Sequence, residues 1–357
     1  MHDLVFLAGY WLLFWWKFLK NPYLLCTSEI ASTYFPFWTW LGRRWQLTDD
    51  LYYKYPACIP FLSMWYPPNL LAAFIGRFLN EDLRFKFYVY FILGHYLLAS
   101  FIAYKVFGLF GALTLTYAGY CIKPQTPSFV YTMCWIPGIL LGGFWGGLSL
   151  GMALLGGYWP ILVYVAPWAV LLKPEALWGC FLAIPQIVSF LWYWPRSVRA
   201  NQEAEDGVGK IQWWQLKDLV WPTNLLRPTN GVHYPEVEMY LGISPFFIFH
   251  PSWWWLGALS ALAICMGLVP SVQRIPARAL YFLTFCVVSL SAPMAFSLGL
   301  SLVLIQAFLL LRNSSIYPSF PFSQWWRKPQ DLYPEGDYTG YLNSVKKNDY
   351  RGAFSLK

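Results

Sequence analysis

The stretch KFYVYFILGHYLLASFIAYKVF, residues 86–107, decides the fold. It carries charge only at Lys86 and Lys105, close to its two ends, with Gly94 and His95 inside. A hydrocarbon core is crossed by about 20 apolar residues in a helix, because only internal hydrogen bonds satisfy the backbone there. The stretch has that length and is predicted to cross a membrane. Outward from it the character persists: between Lys86 and Arg196 the only charges are Lys105, Lys123, Lys173 and Glu175. Hydrophobic residues make up 58% of the chain and charged residues 12%, about half the charged share of a soluble domain.

Further crossings follow from the same pattern. Residues 4–19 (LVFLAGYWLLFWWKFL) are the first, with Lys17 and Lys20 snorkelling at the end. No basic n-region or small-residue cleavage site accompanies it, so a retained anchor is expected. Residues 108–122 continue after a short turn, and Pro124–Pro127 is a loop. Residues 128–158 read as two short crossings split near Gly142-Gly143, or as one crossing with a re-entrant piece. Residues 160–173 and 175–194 form a hairpin broken at Lys173-Pro174, and 253–270, 279–293 and 294–312 are three more crossings. The expected architecture is an all-α polytopic transmembrane bundle over residues 1–312, with about ten crossings. Residues 313–357 form an aqueous tail.

Two long connections interrupt the bundle, 20–85 and 195–252. The first is rich in aromatics and proline, and its residues 70–79 (LLAAFIGRFL) read as an amphipathic interfacial helix. With the N-terminus inside and 128–158 counted as two crossings, Lys105, Lys173, Arg274 and Arg278 fall in short inside loops and only Lys123 in a short outside one. That agrees with the positive-inside rule and puts both long connections outside.

The net charge of +8 is scattered and forms no stripe, which argues against nucleic acid. Anionic lipid headgroups or a lipid-linked phosphate suit it better. The 22 Trp and 25 Tyr serve interfacial belts or a sugar-handling cavity, and composition does not separate the two. The seven Cys show no metal spacing and read as small apolar packers. No carboxylate–histidine spacing is tight enough to claim a metal.

The chemistry-bearing stretch is CTSEIASTYFPFWTW, residues 26–40. Glu29 is the only acidic residue between Asp3 and Asp49 and sits just past the first crossing. It is a candidate general base, or else a solvated helix cap. His95 is an ionisable group inside a crossing and therefore a functional candidate, but a neutral imidazole bonded between helices is the stronger expectation. Glu175 opens a helix after Lys173-Pro174 and reads as a cap.

Glu29, Tyr34-Phe-Pro-Phe37, a basic-aromatic patch and Met64-Trp-Tyr-Pro-Pro-Asn-Leu-Leu71 together resemble the first outer loop of YfhO-type membrane proteins, of the GT-C glycosyltransferase superfamily. Trp135-Ile-Pro-Gly-Ile-Leu-Leu-Gly142 is similar to the family's W-x-P crossing. Pro185-Gln186 with Ser197 and Arg199 resembles its approach to the second loop, and Glu238-Met-Tyr-Leu-Gly-Ile-Ser-Pro245 its exit. Arg312 and Pro318 loosely resemble an R-x-P segment. Each motif is weak alone; their order along residues 1–320 carries the resemblance.

The resemblance implies sugar transfer from a polyprenyl-phosphate-sugar to an extracytoplasmic glycan or lipid acceptor, in a bacterial inner (plasma) membrane. Glu29 would be the base, with Asp49 and Asp50 in reserve, although a turn start before Leu51 is the stronger reading of that pair. Arg43, Arg44 and Arg199 would hold the donor phosphate, against headgroup anchoring for the first two and pairing with Glu203 or Glu205 for the third. Glu238 is a second acid, and a divalent metal stays open. Two departures matter: the family's first-loop acid is commonly Asp, and its members are usually longer than 357 residues. They favour a non-catalytic assembly subunit of a membrane complex as an alternative; a transporter or flippase for a lipid-linked substrate is a second.

Overall fold

The computed structural model describes residues 2–25, 30, 34–44, 63–118, 121, 126–193, 211, 213, 216, 253–269 and 279–291, and no strand occurs among them. The fold is all-α. Helix α1 (His2–Lys20) leads through a 3-10 turn (Pro22–Leu25) towards α2 (Phe35–Arg44). Then come α3 (Pro67–Gly76) and the long α4 (Glu81–Tyr117). Asn80 starts α4 by accepting the Leu83 amide at 2.9 Å.

Helix α4 is the axis of the molecule. Over Asp82–Tyr117, 36 residues, it is long and apolar enough to cross a membrane. Helix α1 runs antiparallel along it, fixed by three hydrogen bonds that step in opposite directions. The Tyr104 hydroxyl donates to Asp3 Oδ2 (2.7 Å), Trp11 Nε1 to the Leu93 carbonyl (2.7 Å) and the Tyr90 hydroxyl to the Leu19 carbonyl (3.2 Å). Between them Trp15 lies on Tyr96 and Tyr10 on Tyr117, with centroids 4.7 and 4.9 Å apart. The turn expected after residue 107 is present as a break within α4: Gly108 has φ 70 and ψ −173, a conformation that only glycine adopts without strain.

The first long connection contributes a helical pair. Gly42 of α2 abuts the Ala73 carbonyl of α3, and Gly76 abuts the Trp38 ring; a side chain at either glycine would overlap its neighbour. The pair is tied to α4 by Phe35 on Phe85 and Trp38 on Tyr88, at 5.1 and 4.9 Å. Buried Arg84 donates from Nε to the Gly76 carbonyl (2.9 Å) and from Nη2 to the Leu79 carbonyl (2.7 Å). A cation thus sits on the carbonyl end of α3, where the helix dipole favours it. The helix expected at 70–79 therefore starts earlier, at the preset φ of Pro67, and stops at Gly76.

Beyond α4, α5 (Pro127–Met133) runs into a 3-10 segment (Ile136–Leu141) and then α6 (Gly143–Leu155). Gly142 (φ 69) and Gly143 (φ 50) form the break expected near that pair. Helix α7 (Trp159–Leu172) ends at Lys173, and a 3-10 turn (Pro174–Trp178) leads into α8 (Gly179–Leu182) and α9 (Ile184–Tyr193). The hairpin break at Lys173-Pro174 is as expected, and its second arm is itself bent. Pro174–Leu182 and Ile184–Leu191 meet at 74°. Helices α10 (Trp254–Cys265) and α11 (Leu280–Ser291) pack on each other, and α11 reaches α4 through Phe285 on Phe107 at 5.5 Å. The apolar helices other than α4 that resemble crossings are 10–17 residues long, shorter than the about 20 that a straight crossing takes. The expected crossing at 294–312 and the tail lie outside the described residues.

Helices α6 and α8 approach through glycine backbones, and a side chain on Gly179 would overlap the Gly147 carbonyl. Gly179→Ala should lower thermal stability in detergent by about 1–3 kcal/mol, the usual cost of overpacking. Gly94→Ala, which meets nothing within 4 Å, should leave it unchanged or raise it slightly. Matched melting curves of the two variants check this.

Candidate functional site

Tyr66 caps the N-terminus of α3 in an extended conformation (φ −73, ψ 111), ahead of Pro67 and Pro68. The prolines fix the direction of the helix, and the phenol is driven into the protein, where Tyr66 is fully buried. Its oxygen accepts from Trp135 Nε1 at 2.8 Å, across 69 residues of sequence. It donates to His95 Nε2 at 3.0 Å. His95 Nδ1 donates to the Phe91 carbonyl, one turn earlier, at 2.8 Å.

The directions follow from what each group can do. An indole N–H only donates and a carbonyl only accepts, so Nδ1 carries the imidazole proton and Nε2 accepts. The chain of bonds is complete with a neutral imidazole. Burial supports it by pushing the Tyr66 phenol well above its ordinary pKa, which keeps the hydroxyl a donor. His95 is thus the neutral, interhelically bonded histidine that was the stronger expectation. Tyr131 closes the cluster: its ring stacks on Tyr66 (5.2 Å, 19°) and lies 4.6 Å from His95.

The turn before Tyr66 is also tied inward. Ser63 has φ 57, the left-handed region that most side chains avoid. It is held there by its hydroxyl, which donates to the Gly156 carbonyl, and by Asn69 Nδ2, which donates to the Ser63 carbonyl at 3.2 Å. Trp65 Nε1 donates to Ser189 Oγ at 3.0 Å, across 124 residues, and Ser189 Oγ donates to the Pro185 carbonyl at 2.7 Å. The Tyr34 hydroxyl lies 3.1 Å from Ser128 Oγ, across 94 residues. Thr132 Oγ1 accepts the Tyr158 amide at 2.9 Å.

Two stretches singled out in the sequence, Met64–Leu71 and Trp135–Gly142, therefore meet directly; Tyr34 is tied to Ser128 and Trp65 to Ser189, one turn past Pro185-Gln186. They meet through neutral hydrogen-bonding groups and aromatic rings. The Tyr131 hydroxyl faces that of Tyr88 across the cluster, and buried Asn69 Oδ1 has no hydrogen-bond partner among the described residues.

The charged candidates lie elsewhere or outside what is described. Glu29, Asp49, Asp50, Arg199 and Glu238 fall outside the described residues. Arg43 and Arg44 end α2, next to the Gly42–Ala73 approach, and their side chains are not described. Glu175 caps a helix, but a different one from that expected: its carboxylate accepts the first amide of α6, Gly143, at 3.4 Å. Among the described residues no group of three His, Cys, Asp or Glu is placed to hold a metal ion.

Tyr66, Asn69 and Trp135 lay within motif-like segments but were given no role by sequence reasoning, and Tyr131 was not singled out. The available signal was His95 itself: a histidine inside an apolar stretch needs a partner, and tyrosines and tryptophans are the abundant donors here. Compared with known proteins, the chain matches no family, no curated protein and no solved structure.

Tyr66→Phe removes the central hydroxyl and leaves both Trp135 Nε1 and His95 Nε2 without their partner. The expected loss of folding stability is about 1–3 kcal/mol. Tyr90→Phe, whose hydroxyl sits in an exposed bond to Leu19, should cost under about 0.5 kcal/mol. Denaturation of the two variants side by side checks the difference.

Proposed function

We propose that this chain is a polytopic membrane glycosyltransferase. It moves a sugar from a polyprenyl-phosphate donor to an extracytoplasmic glycan or lipid acceptor. In this reading it belongs with the YfhO-type members of the GT-C superfamily, crosses a bacterial plasma membrane about ten times and turns its two long connections outwards. The observation that supports the reading is that Trp135 of the W-x-P-like segment bonds to Tyr66 of Met64–Leu71, while the neighbouring Trp65 bonds to Ser189, one turn past Pro185-Gln186. Sequence resemblance selected those segments by their order alone, without reference to contact. Segments shared for reasons of composition would have no cause to converge.

The chemistry follows from the groups proposed. An acceptor hydroxyl attacks the anomeric carbon, and the new C–O bond forms as the bond to the lipid phosphate breaks. The hydroxyl proton passes to the Glu29 carboxylate. The departing phosphate takes the electron pair and is stabilised by the Arg43, Arg44 and Arg199 guanidiniums, which bind phosphate oxygens bidentately. The neutral aromatic cluster suits a sugar ring better than a charged group.

One observation favours a second reading, an assembly subunit that keeps the fold without catalysis. Every group of the described cluster is uncharged, and the first-loop acid is Glu where the family commonly has Asp. The deciding measurement is transfer of labelled sugar from a polyprenyl-phosphate donor in membranes holding the parent protein, Glu29→Gln or Glu29→Ala. Loss of transfer by at least about a hundredfold in both variants, with unchanged membrane levels, is expected of a general base. Undiminished transfer would remove Glu29 from the mechanism, and an inactive parent in stable stoichiometric association with other membrane proteins would establish the assembly reading.

A further inference from the structure

We propose that the outward face of α3 and of the turn after it, Leu71, Phe74, Ile75 and Phe78 around Arg77, binds an anionic phospholipid. Arg77 takes the headgroup phosphate, and the four apolar side chains lie against the upper acyl chains. The site rests on α4 crossing a membrane and is independent of glycosyl transfer.

The face is set by the other side of α3. Asn69, Ala72, Ala73 and Gly76 are buried there, and Gly42 and Trp38 of α2 abut Ala73 and Gly76. Residues 71, 74, 75 and 78 follow the spacing of a single helix face. The helical course persists past Gly76, because the Phe78 and Leu79 amides donate to the Ile75 and Gly76 carbonyls, at 3.1 Å each. All four side chains are exposed, Phe78 at 69% and Leu71 at 60%. Arg77 is exposed in their midst. Its guanidinium carbon is 5.3 Å from the Phe74 centroid and 5.0 Å from that of Phe78, and the two rings meet edge to face at 5.5 Å. Buried Arg84 already serves the end of α3, through the Gly76 and Leu79 carbonyls, so Arg77 has no capping to do. Among the described residues no carboxylate pairs with Arg77, and Asp82, at the start of α4, is held by Lys86 at 2.7 Å.

Depth points to the same ligand. The Arg84 bonds fasten the end of α3 to the first turn of α4. Lys86 lies 5.9 Å from the Tyr23 ring and the Tyr90 hydroxyl bonds to Leu19, so Lys17 and Lys20 end α1 at this level too. From Lys86 to Lys105 the uncharged run of α4 rises about 28 Å, close to the hydrocarbon thickness of about 30 Å. Arg77 therefore stands where hydrocarbon gives way to headgroups. In water the four apolar side chains would form an uncovered patch, and in hydrocarbon Arg77 would be an unpaired charge. The boundary satisfies both, and a guanidinium there binds phosphate oxygens bidentately. The headgroup is anionic by charge complementarity. A choline would meet the basic side chains of Lys20, Arg77 and Lys86, with Asp82 already engaged.

The test is photocrosslinking of the full chain in phosphatidylcholine nanodiscs. They are doped either with phosphatidylglycerol carrying a diazirine high on one acyl chain, or with phosphatidylcholine carrying the same label, and the crosslinked peptides are mapped and quantified. At residues 71–78 the glycerol lipid is expected to exceed the choline lipid about fivefold, the weight of one basic side chain at an anionic surface. Arg77→Gln should erase most of that excess. Arg77→Lys, which keeps the charge without the planar fork, should retain more of it than Arg77→Gln does. Crosslinking around Lys105, at the other end of the uncharged run, should be the same in the parent and in Arg77→Gln, which also certifies the variant as folded. Four results would each overturn the site: equal yields of the two lipids at 71–78 in the parent, an excess there that Arg77→Gln preserves, a matching loss around Lys105, or no crosslink at 71–78 because another protein surface covers the face.

Discussion

The Tyr66 hydroxyl is the contact on which the rest of the site depends. It is the one polar atom that accepts from the segment after α5 and donates to the middle of α4. The loop preceding α3 is thereby fastened to two helices at once. In an apolar interior such a bond is costly to leave unmade, because no water replaces the lost partner. The long helix, the α2–α3 pair and the 3-10 segment after α5 thus share one condition for being correctly placed.

Close backbone approach is the second constraint. Where α2 meets α3 and where α6 meets α8, glycine brings helices nearer than any side chain would allow. Small residues serve this purpose in membranes, where burial of apolar surface between helices contributes little and packing contributes most. In the first pair the approach holds the tandem Arg43-Arg44 at the end of α2 close to α3. In the second it turns the chain sharply, so that Pro185 and Ser189 come back towards Trp65.

The described cluster offers aromatic faces and neutral donors and acceptors, a composition matched to sugar rings. In the proposed function, the charged groups are assigned to other parts of the two long connections. A membrane enzyme acting on a lipid-linked sugar has to separate these environments, since a cation within a buried ring cluster would be poorly solvated. The neutral state of His95 belongs to the same picture, because both of its ring nitrogens are engaged, one with Tyr66 and one with the Phe91 carbonyl.

The sequence by itself determined the all-α class, the long apolar helix around residues 86–107, and the breaks at 108, 142–143 and 173–174. Glycine and proline act through local backbone sterics, which need no partner to be read. It also marked the segments that turned out to meet, because residue type and order are written along the chain. What only the tertiary structure decided is that Trp135 meets Tyr66, that His95 is satisfied by a tyrosine, and that the segment after Lys173 bends by 74°. Each of these depends on contacts between residues far apart in the chain. Hydropathy and motif order carry no information about which donor faces which acceptor, and a bend held by the Gly147–Gly179 approach is invisible until both glycines are seen side by side.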